Sequence, residues 1–425
     1  MSTQTSRSVL FTHTQPQQSF RLLELPPDLE ELLTSKDAPV IELKSPSSAL
    51  AQAVRDPAAQ EYVNLCTPTK TYRIRQVMSS NSIHILQPSL GQISRDDIKV
   101  VEEEAGETGA LNLPDESVTT IANCGSTLEL HIPDGGFSAV PFLEKSLRLY
   151  DPRSGDDDGD MTMDDWNPDE GPSATQKQEA REKVCEDVPV STAQCETGWL
   201  ELCAFVDGDQ DISCWRPSAR MRLSVWKRLM EGALLQGIDL EKQFLVGDLW
   251  KSVLDDDVSA PPFPRALLEA LARRLCAEDQ RPALSEDIKW ACFDKEECTR
   301  WVGEICLAAT APTASSAVGR SEFLQIWKDC LPESWRGDAI LSKLPEGSYQ
   351  SPDPTTMFFV DATQRKQISK APAAGAAAAK TKAKTTRNWH DVDAEQPPVY
   401  DMMLVVSKNI RVMFAAQFNP GAAGT

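Results

Sequence analysis

Apolar and polar positions alternate along residues 71–77. Tyr72, Ile74 and Gln76 point one way and Thr71, Arg73 and Arg75 the other, which is the period of two of a β-strand. A polar run, Ser79-Ser80-Asn81-Ser82, predicts a turn, and residues 83–86 predict a second short apolar strand, so the stretch reads as a β-hairpin. Residues 96–107 are acidic and read as a loop, while residues 117–122 and 126–132 predict further short strands. Several short strands separated by turn signals point to a β-barrel over residues 19–135. A small barrel standing alone exposes sheet edges, so a partner that adds strands is physically reasonable.

From residue 137 the period changes to that of helices. Residues 142–150 are helical in pattern, and Val190-Ser191-Thr192 offers a cap ahead of residues 196–205. A short strand over 212–216 follows. Trp226, Leu229, Met230, Ala233 and Leu234 then form one apolar helix face, and residues 244–254 a second helix. Pro262-Phe263-Pro264 starts a third, with Leu267, Leu268, Leu271 and Leu275 as its stripe, before a strand over 288–293. The same order recurs: Trp301, Val302 and Ile305, then Phe323, Leu324, Trp327, Cys330 and Leu331, then a third helix over 335–344 and a strand over 355–360. Helices followed by a short β-wing, repeated, form the winged-helix pattern, a helix-turn-helix variant.

Composition narrows the function. The net charge is −21, but it is unevenly spread. Residues 1–219 hold 17 Lys and Arg against 37 Asp and Glu, whereas residues 220–425 hold 26 against 27. Phosphates are repelled by the first half, and only the second can present a locally basic face. The run 151–172, with Asp156-Asp157-Asp158-Gly159-Asp160, lacks the ligand spacing and closing Glu of an EF-hand and reads as part of a disordered acidic insertion, 151–188. Eleven cysteines without a Cys-x-x-Cys, and four scattered histidines, argue for reduced thiols rather than disulfides or zinc. No apolar run approaches the roughly 18 residues of a membrane span, and residues 1–18, read as disordered, carry no signal-peptide core. The expectation is a soluble intracellular protein. No Gly-x-x-x-x-Gly-Lys-Ser/Thr loop and no Gly-x-Ser-x-Gly elbow is present. The chain is therefore expected to be neither an ATPase nor any other enzyme, and no cofactor is expected.

The wording of residues 65–86, LCTPTKTYRIRQVMSSNSIHIL, resembles the signature of the sister chromatid cohesion protein Dcc-one family. Residues 20–33 and 40–44 support it, with a strand ending in Leu-Pro, a short helix and a short strand. The likeness is specific over 20–86, looser over 137–360, and fails beyond 361. It implies a non-catalytic nuclear subunit of the alternative replication factor C clamp loader, the one built on the chromosome-transmission-fidelity large subunit. It also implies a multidomain α+β fold: an N-terminal antiparallel β-barrel completed with partner subunits, then three tandem winged helices. These map to 137–219, interrupted by the acidic insertion, and to 220–293 and 294–360, leaving 361–425 as an Ala/Lys-rich flexible tail.

The partners so implied are the large and small subunits of the subcomplex, the DNA polymerase epsilon catalytic subunit, the clamp PCNA through the complex, and DNA; no membrane is expected. The interface is expected on the signature hairpin, at Leu65, Thr67, Lys70, Tyr72, Arg73, Ile74, Arg75 and Asn81. The DNA or polymerase surface is expected at Arg265, Arg273, Arg274 and Lys289, with Lys328, Arg336 and Lys343 as weaker candidates. Arg273 and Arg274 lie opposite the Leu267/Leu271 stripe and are expected to face away from the core. The rival reading is a free-standing winged-helix DNA-binding regulator of transcription, which would need a clearly basic recognition helix.

Overall fold

A computed structural model describes residues 10–13, 18–46, 62–88, 117–151, 172–208, 212–254, 262–361, 365, 401–405 and 413–418. The chain is mixed α+β: a large curled sheet is followed by helices interleaved with three small sheets.

The large sheet contains β1 (Leu10–His13), β2 (Ser19–Glu24), β3 (Glu42–Lys44), β4 (Asn64–Cys66), β5 (Thr71–Pro88) and β6 (Ser117–His131). β6 is its spine, with β5 antiparallel along one side and β1 and β2 parallel along the other. The sheet is thus mixed rather than antiparallel, because the chain returns to β6 from the same direction twice. Beyond β5 lie β4 and then β3 at one end of the hydrogen-bonded order. At the other end, Met413–Phe418 pairs antiparallel with β2 and Asp401–Val405 pairs with Met413–Phe418. Those two strands correct the reading of 361–425 as a flexible tail: Met402-Met403-Leu404-Val405 is an apolar, extended-prone run on the far side of the Ala/Lys stretch. The Ala/Lys stretch itself lies outside the described residues. β1 likewise corrects the reading of 1–18 as disordered, since Leu10–His13 pairs with Ser117–Thr120.

The predicted turn at residues 79–82 does not reverse the chain. Residues 73–78 pair with 126–131, and residues 83–88 with 118–124, so both halves of β5 lie on one partner strand. Four residues stand opposite Gly125 alone, which makes a large β-bulge. The two strands foreseen over 117–132 are correspondingly one. Where β6 runs long enough to satisfy the backbone on both sides, Ser and Asn are absorbed as a bulge, and the ladder beyond it is kept. The true hairpin joins β4 to β5, with Leu65 opposite Tyr72 and Cys66 opposite Thr71.

The helical part begins with Val140–Ser146, Ala174–Glu186 and Thr192–Glu201 around a sheet of Arg148–Tyr150, Ser213–Pro217 and Phe205–Asp207. Ala174–Glu186 corrects the reading of 151–188 as a disordered insertion at those residues, which form a helix. Ser173 and Gln176 form a capping box at its start, and Ala180, Val184 and Cys185 pack on the core of Leu143, Val190 and Trp199. Next come Ala219–Gln236, Val246–Val253 and Arg265–Leu275 with the strand pair Phe244–Leu245 and Trp290–Ala291. Lys295–Thr310 and Arg320–Asp329 follow, with a sheet of Val318–Gly319, Thr356–Phe359 and Tyr349–Gln350. In place of the predicted helix 335–344 stand two 3-10 turns, Glu333–Asp338 and Leu341–Lys343. Gly337, within the first of them, lowers helix propensity.

Residues 220–360 share one hydrophobic core rather than two. Trp226 is fully buried at its centre, with ring centroids 6.3 Å from Trp301, 6.4 Å from Trp335 and 6.4 Å from Phe293. Its Nε1 donates to the Cys330 carbonyl at 2.7 Å, so an indole from one helical unit is anchored on the next. Gly303 is needed for the same packing, since a Cβ there would lie 2.5 Å from the Trp327 ring and 2.9 Å from Leu344.

Candidate partner-binding surface

The signature residues form a joint. Thr67 closes the four-residue turn of the β4–β5 hairpin: its N–H and hydroxyl donate to the Lys70 carbonyl at 2.9 and 3.1 Å, and the hydroxyl accepts from the Lys70 N–H at 2.9 Å. Leu65 and Tyr72 are buried with Leu25 and Leu29, and Ile74 packs against that cluster. The Tyr72 hydroxyl donates to Asp28 at 2.7 Å, and the Lys70 ammonium pairs with the same carboxylate oxygen at 2.9 Å. On the opposite side, Thr71 reaches the first helical unit. Its hydroxyl donates to Gln194 Oε1 at 2.6 Å and accepts from the Ser191 N–H at 2.7 Å. Asn64 Nδ2 donates to the Pro189 carbonyl at 2.7 Å, and the Ala193 N–H donates to the Pro68 carbonyl at 3.1 Å. A short polar hairpin tip thereby caps the Thr192–Glu201 helix and fastens sheet to helices.

Of the residues expected at an interface, Leu65, Thr67 and Tyr72 are thus committed internally. The Arg73 guanidinium lies over the rings of Tyr62, at 4.6 Å, and Phe137, at 5.6 Å. Arg75 forms a two-pronged pair with Glu129 at 2.7 and 3.0 Å and is more than half exposed. Asn81 lies in the bulge. The alternation of Tyr72 and Ile74 with Arg73 and Arg75 identifies a strand correctly, but period alone does not tell which face a partner covers.

Hydrogen bonds from Lys70 and then Tyr72 hold the Asp28 carboxyl below the usual carboxylate range. Burial, reinforced by Asp28, pushes the Tyr72 phenol up. A carboxylate with a depressed folded-state pKa stabilises the folded form above its unfolded value of about 3.9, and that stability is lost as pH falls through the folded value. The expected result is a corner that loosens below about pH 4, read as faster amide exchange at Thr67, Lys70 and Tyr72. Asp28→Asn should remove this pH dependence, and an unchanged profile in the variant would count against the assignment.

The surface left open lies further along the ribbon. From Arg75 onward no described side chain of β5 is buried. Met78 is 74 % exposed, and Ile83 and Leu86 are also exposed. These apolar residues flank the bulge, where neither the helices nor the small core of Leu25, Leu29, Leu65 and Tyr72 reaches them. The signal that could have found them is the excess of exposed apolar residues on a strand whose neighbour, β6, offers little cover.

The candidate basic helix is also corrected. Arg273 does not face away from the core; it is buried, and its guanidinium donates to the carbonyls of Pro282, Ala283 and Glu286 at 3.1, 2.5 and 2.7 Å. Arg274 pairs with Glu297 at 2.6 Å with its side chain 18 % exposed. The reason is packing on a second side: Arg265–Leu275 is covered by residues 281–287 as well as by the Leu267 stripe, and Arg274 meets the helix Lys295–Thr310. Arg273→Ala is expected to strip three carbonyls of their donor and cost about 2–4 kcal/mol, measured by urea denaturation; a cost below about 0.5 kcal/mol, the range of an ordinary surface change, would refute the structural role.

Arg265 pairs with Glu269 at 2.9 Å, and Lys343 with Asp338 at 3.2 Å and Glu296 at 3.6 Å. Lys289 is exposed, Lys328 half-buried, and Arg336 exposed with its Nε 3.5 Å from the Leu331 carbonyl. Beside Lys289 the sequence reading missed Trp290, half exposed on the rim of an open groove of about 510 Å³ lined by Glu241, Lys242, Gln243, Gln280 and Cys292.

Among the described residues no cluster of three His, Cys, Asp or Glu side chains could hold a metal ion, and no helix is long and apolar enough to cross a membrane. The geometry defines a class: a curled mixed sheet with a bare apolar ribbon, fastened through a hydrogen-bonded hairpin tip to an array of helices and small sheets. The particular family follows from the sequence, because residues 20–374 match the family model described as sister chromatid cohesion protein Dcc1, and the chain belongs to that family. No curated protein matches the chain. Family membership places its role in sister chromatid cohesion.

Proposed function

We propose that the chain is a non-catalytic nuclear subunit of the alternative replication factor C clamp loader. In this reading the ribbon of β5 and β6 is covered by strands from the large subunit and the small third subunit. The helical units act as winged helices, three in tandem, that bring the loader to the DNA polymerase epsilon catalytic subunit and to DNA at the fork. The ATPase subunits then load or unload PCNA, and this chain contributes attachment rather than chemistry. The observation that carries the proposal is the exposed apolar run Met78, Ile83 and Leu86 in a chain of the Dcc1 family. Large exposed apolar side chains grouped on one element mark an interaction site, whereas scattered ones need no explanation.

The rival, a free-standing DNA-binding regulator, needs a basic recognition helix. With Arg273 buried and Arg274 paired, Arg265–Leu275 does not offer one.

The test is co-expression with and without the C-terminal segment of the large subunit and the small subunit, read by size-exclusion chromatography. The expected result is a stable 1:1:1 complex and an aggregating lone chain. A well-behaved monomer that ignores both partners would overturn the proposal.

A further inference from the structure

Three Ser/Thr-Pro dipeptides occur in the chain: Ser45-Pro46, Thr67-Pro68 and Ser351-Pro352. The Thr67 hydroxyl is buried in the hairpin turn. Ser351 is exposed, on the connection between strands Tyr349–Gln350 and Thr356–Phe359, and its hydroxyl accepts from Arg320 Nη2 at 2.9 Å. The Nε of the same guanidinium is buried and has no hydrogen-bond partner. A buried, unpaired charged donor is costly, and such a group beside a modifiable hydroxyl calls for an acceptor with more than one oxygen.

We propose that Ser351 is a phosphorylation site for a proline-directed serine/threonine protein kinase, and that Arg320 is the receptor for the phosphate. The kinase transfers the γ-phosphoryl group of ATP. A bond forms between Ser351 Oγ and the γ phosphorus, and the bond from that phosphorus to the β,γ-bridging oxygen breaks. ADP leaves with the electron pair, and the hydroxyl proton passes to the kinase's base. One phosphate oxygen then takes the place of the hydroxyl on Nη2, and a second reaches Nε. This is the bidentate fork that guanidinium makes with phosphate and that an ammonium cannot reproduce. Arg320 is the first residue of the helix Arg320–Asp329, whose N-terminal end favours negative charge.

Two carboxylates oppose the phosphate. Glu322 lies in the first turn of that helix. Asp353 is two residues beyond Ser351, but both its oxygens are taken by the hydroxyls and N–H groups of Thr355 and Thr356 at 2.5–2.9 Å, which hold it far below the usual carboxylate range. It is ionised throughout the range in which a phosphate titrates, so the contact with Arg320 has to outweigh it. The modification would tie the connection after Tyr349–Gln350 to the helix by charged bonds, and would add a charge of about −1.5 to −2 to this sheet.

The experiment phosphorylates the full chain with a proline-directed cyclin-dependent kinase and ATP, maps the sites by mass spectrometry, and follows the phosphorus-31 shift against pH. The expected result is incorporation at Ser351 of the folded chain. The second phosphate ionisation, ordinarily near pH 6, should lie about one unit lower in the native chain than in the same chain in urea. Arg320→Gln should abolish that difference, with Glu322 and Asp353 present in both proteins. The native-against-urea comparison within the unsubstituted chain stands even if Arg320→Gln fails to fold. Label at Ser45 alone, no label, or identical titrations in the native chain and in urea would each overturn the proposal.

Discussion

Met78→Asp combined with Ile83→Asp is expected to abolish co-purification with the large and small subunits while leaving the chain folded. Met78 is 74 % exposed and gives up little packing when replaced, and Ile83, 36 % exposed, belongs to none of the buried core. A surface substitution such as Met78→Asp stays within about 0.5 kcal/mol of neutral. Their effect arises on assembly. Fully covering an exposed apolar side chain contributes about 1.5–3 kcal/mol, and the exposed parts of these two together amount to about one side chain, so losing both removes about 1.5–3 kcal/mol, or about one to two powers of ten in affinity. Asp in their place adds the cost of a desolvated charge. The same measurement on Tyr72→Asp with Ile74→Asp would be less informative, because Tyr72 is 4 % exposed and its loss breaks the corner itself. Retained assembly by Met78→Asp/Ile83→Asp, with unchanged thermal unfolding, would place the interface elsewhere.

Trp226→Ala is expected to have the largest effect on stability, and its signature is where the damage spreads. Truncating a fully buried Trp costs about 3–5 kcal/mol. It also strips the Cys330 carbonyl of its indole donor. Because Trp226 packs against Trp301 and Trp335, amide protection should fall in Lys295–Thr310 together with Ala219–Gln236, and the two should unfold in one transition. Leu234→Ala and Leu235→Ala serve as controls on the same helix. They are 84 % and 82 % exposed beside the left-handed Gly237 cap and should change little. If Trp226→Ala loosened Ala219–Gln236 and left the Lys295–Thr310 amides protected, the shared core would not be a cooperative unit.

The helical half was legible because its apolar residues recur at helical spacing and its caps are spelled out. Ser191 and Ser173 sit where side-chain oxygens meet free N–H groups; the stretch Val190-Ser191-Thr192 signals the first, although the helix starts at Thr192 rather than at residue 196. Trp226, Trp301 and Trp327 were likewise placed on buried faces. The sheet was less legible. Ser79-Ser80-Asn81-Ser82 has turn composition, and only the length of β6 turns it into a bulge. Parallel pairing of β1 and β2 leaves no local signal, since it depends on a strand about a hundred residues away. The candidate site failed in a similar way. The spacing of Arg273 and Arg274 does set them off from the Leu stripe, but the carbonyls of residues 282–286 that capture Arg273 come from a loop whose path no periodicity records.

The hairpin tip has a mechanical consequence. Asn64, Thr71 and Pro68 hold Pro189, Ser191, Ala193 and Gln194 through bonds on two sides of the turn. Such a joint has no free axis of rotation, so it transmits torque. A molecule that grips the ribbon also steers the helices, as a handle steers a blade, and the heading of the far end is set by how the near end is held. A flexible linker would only keep the two parts near each other; this joint fixes the direction in which the helices point from the sheet.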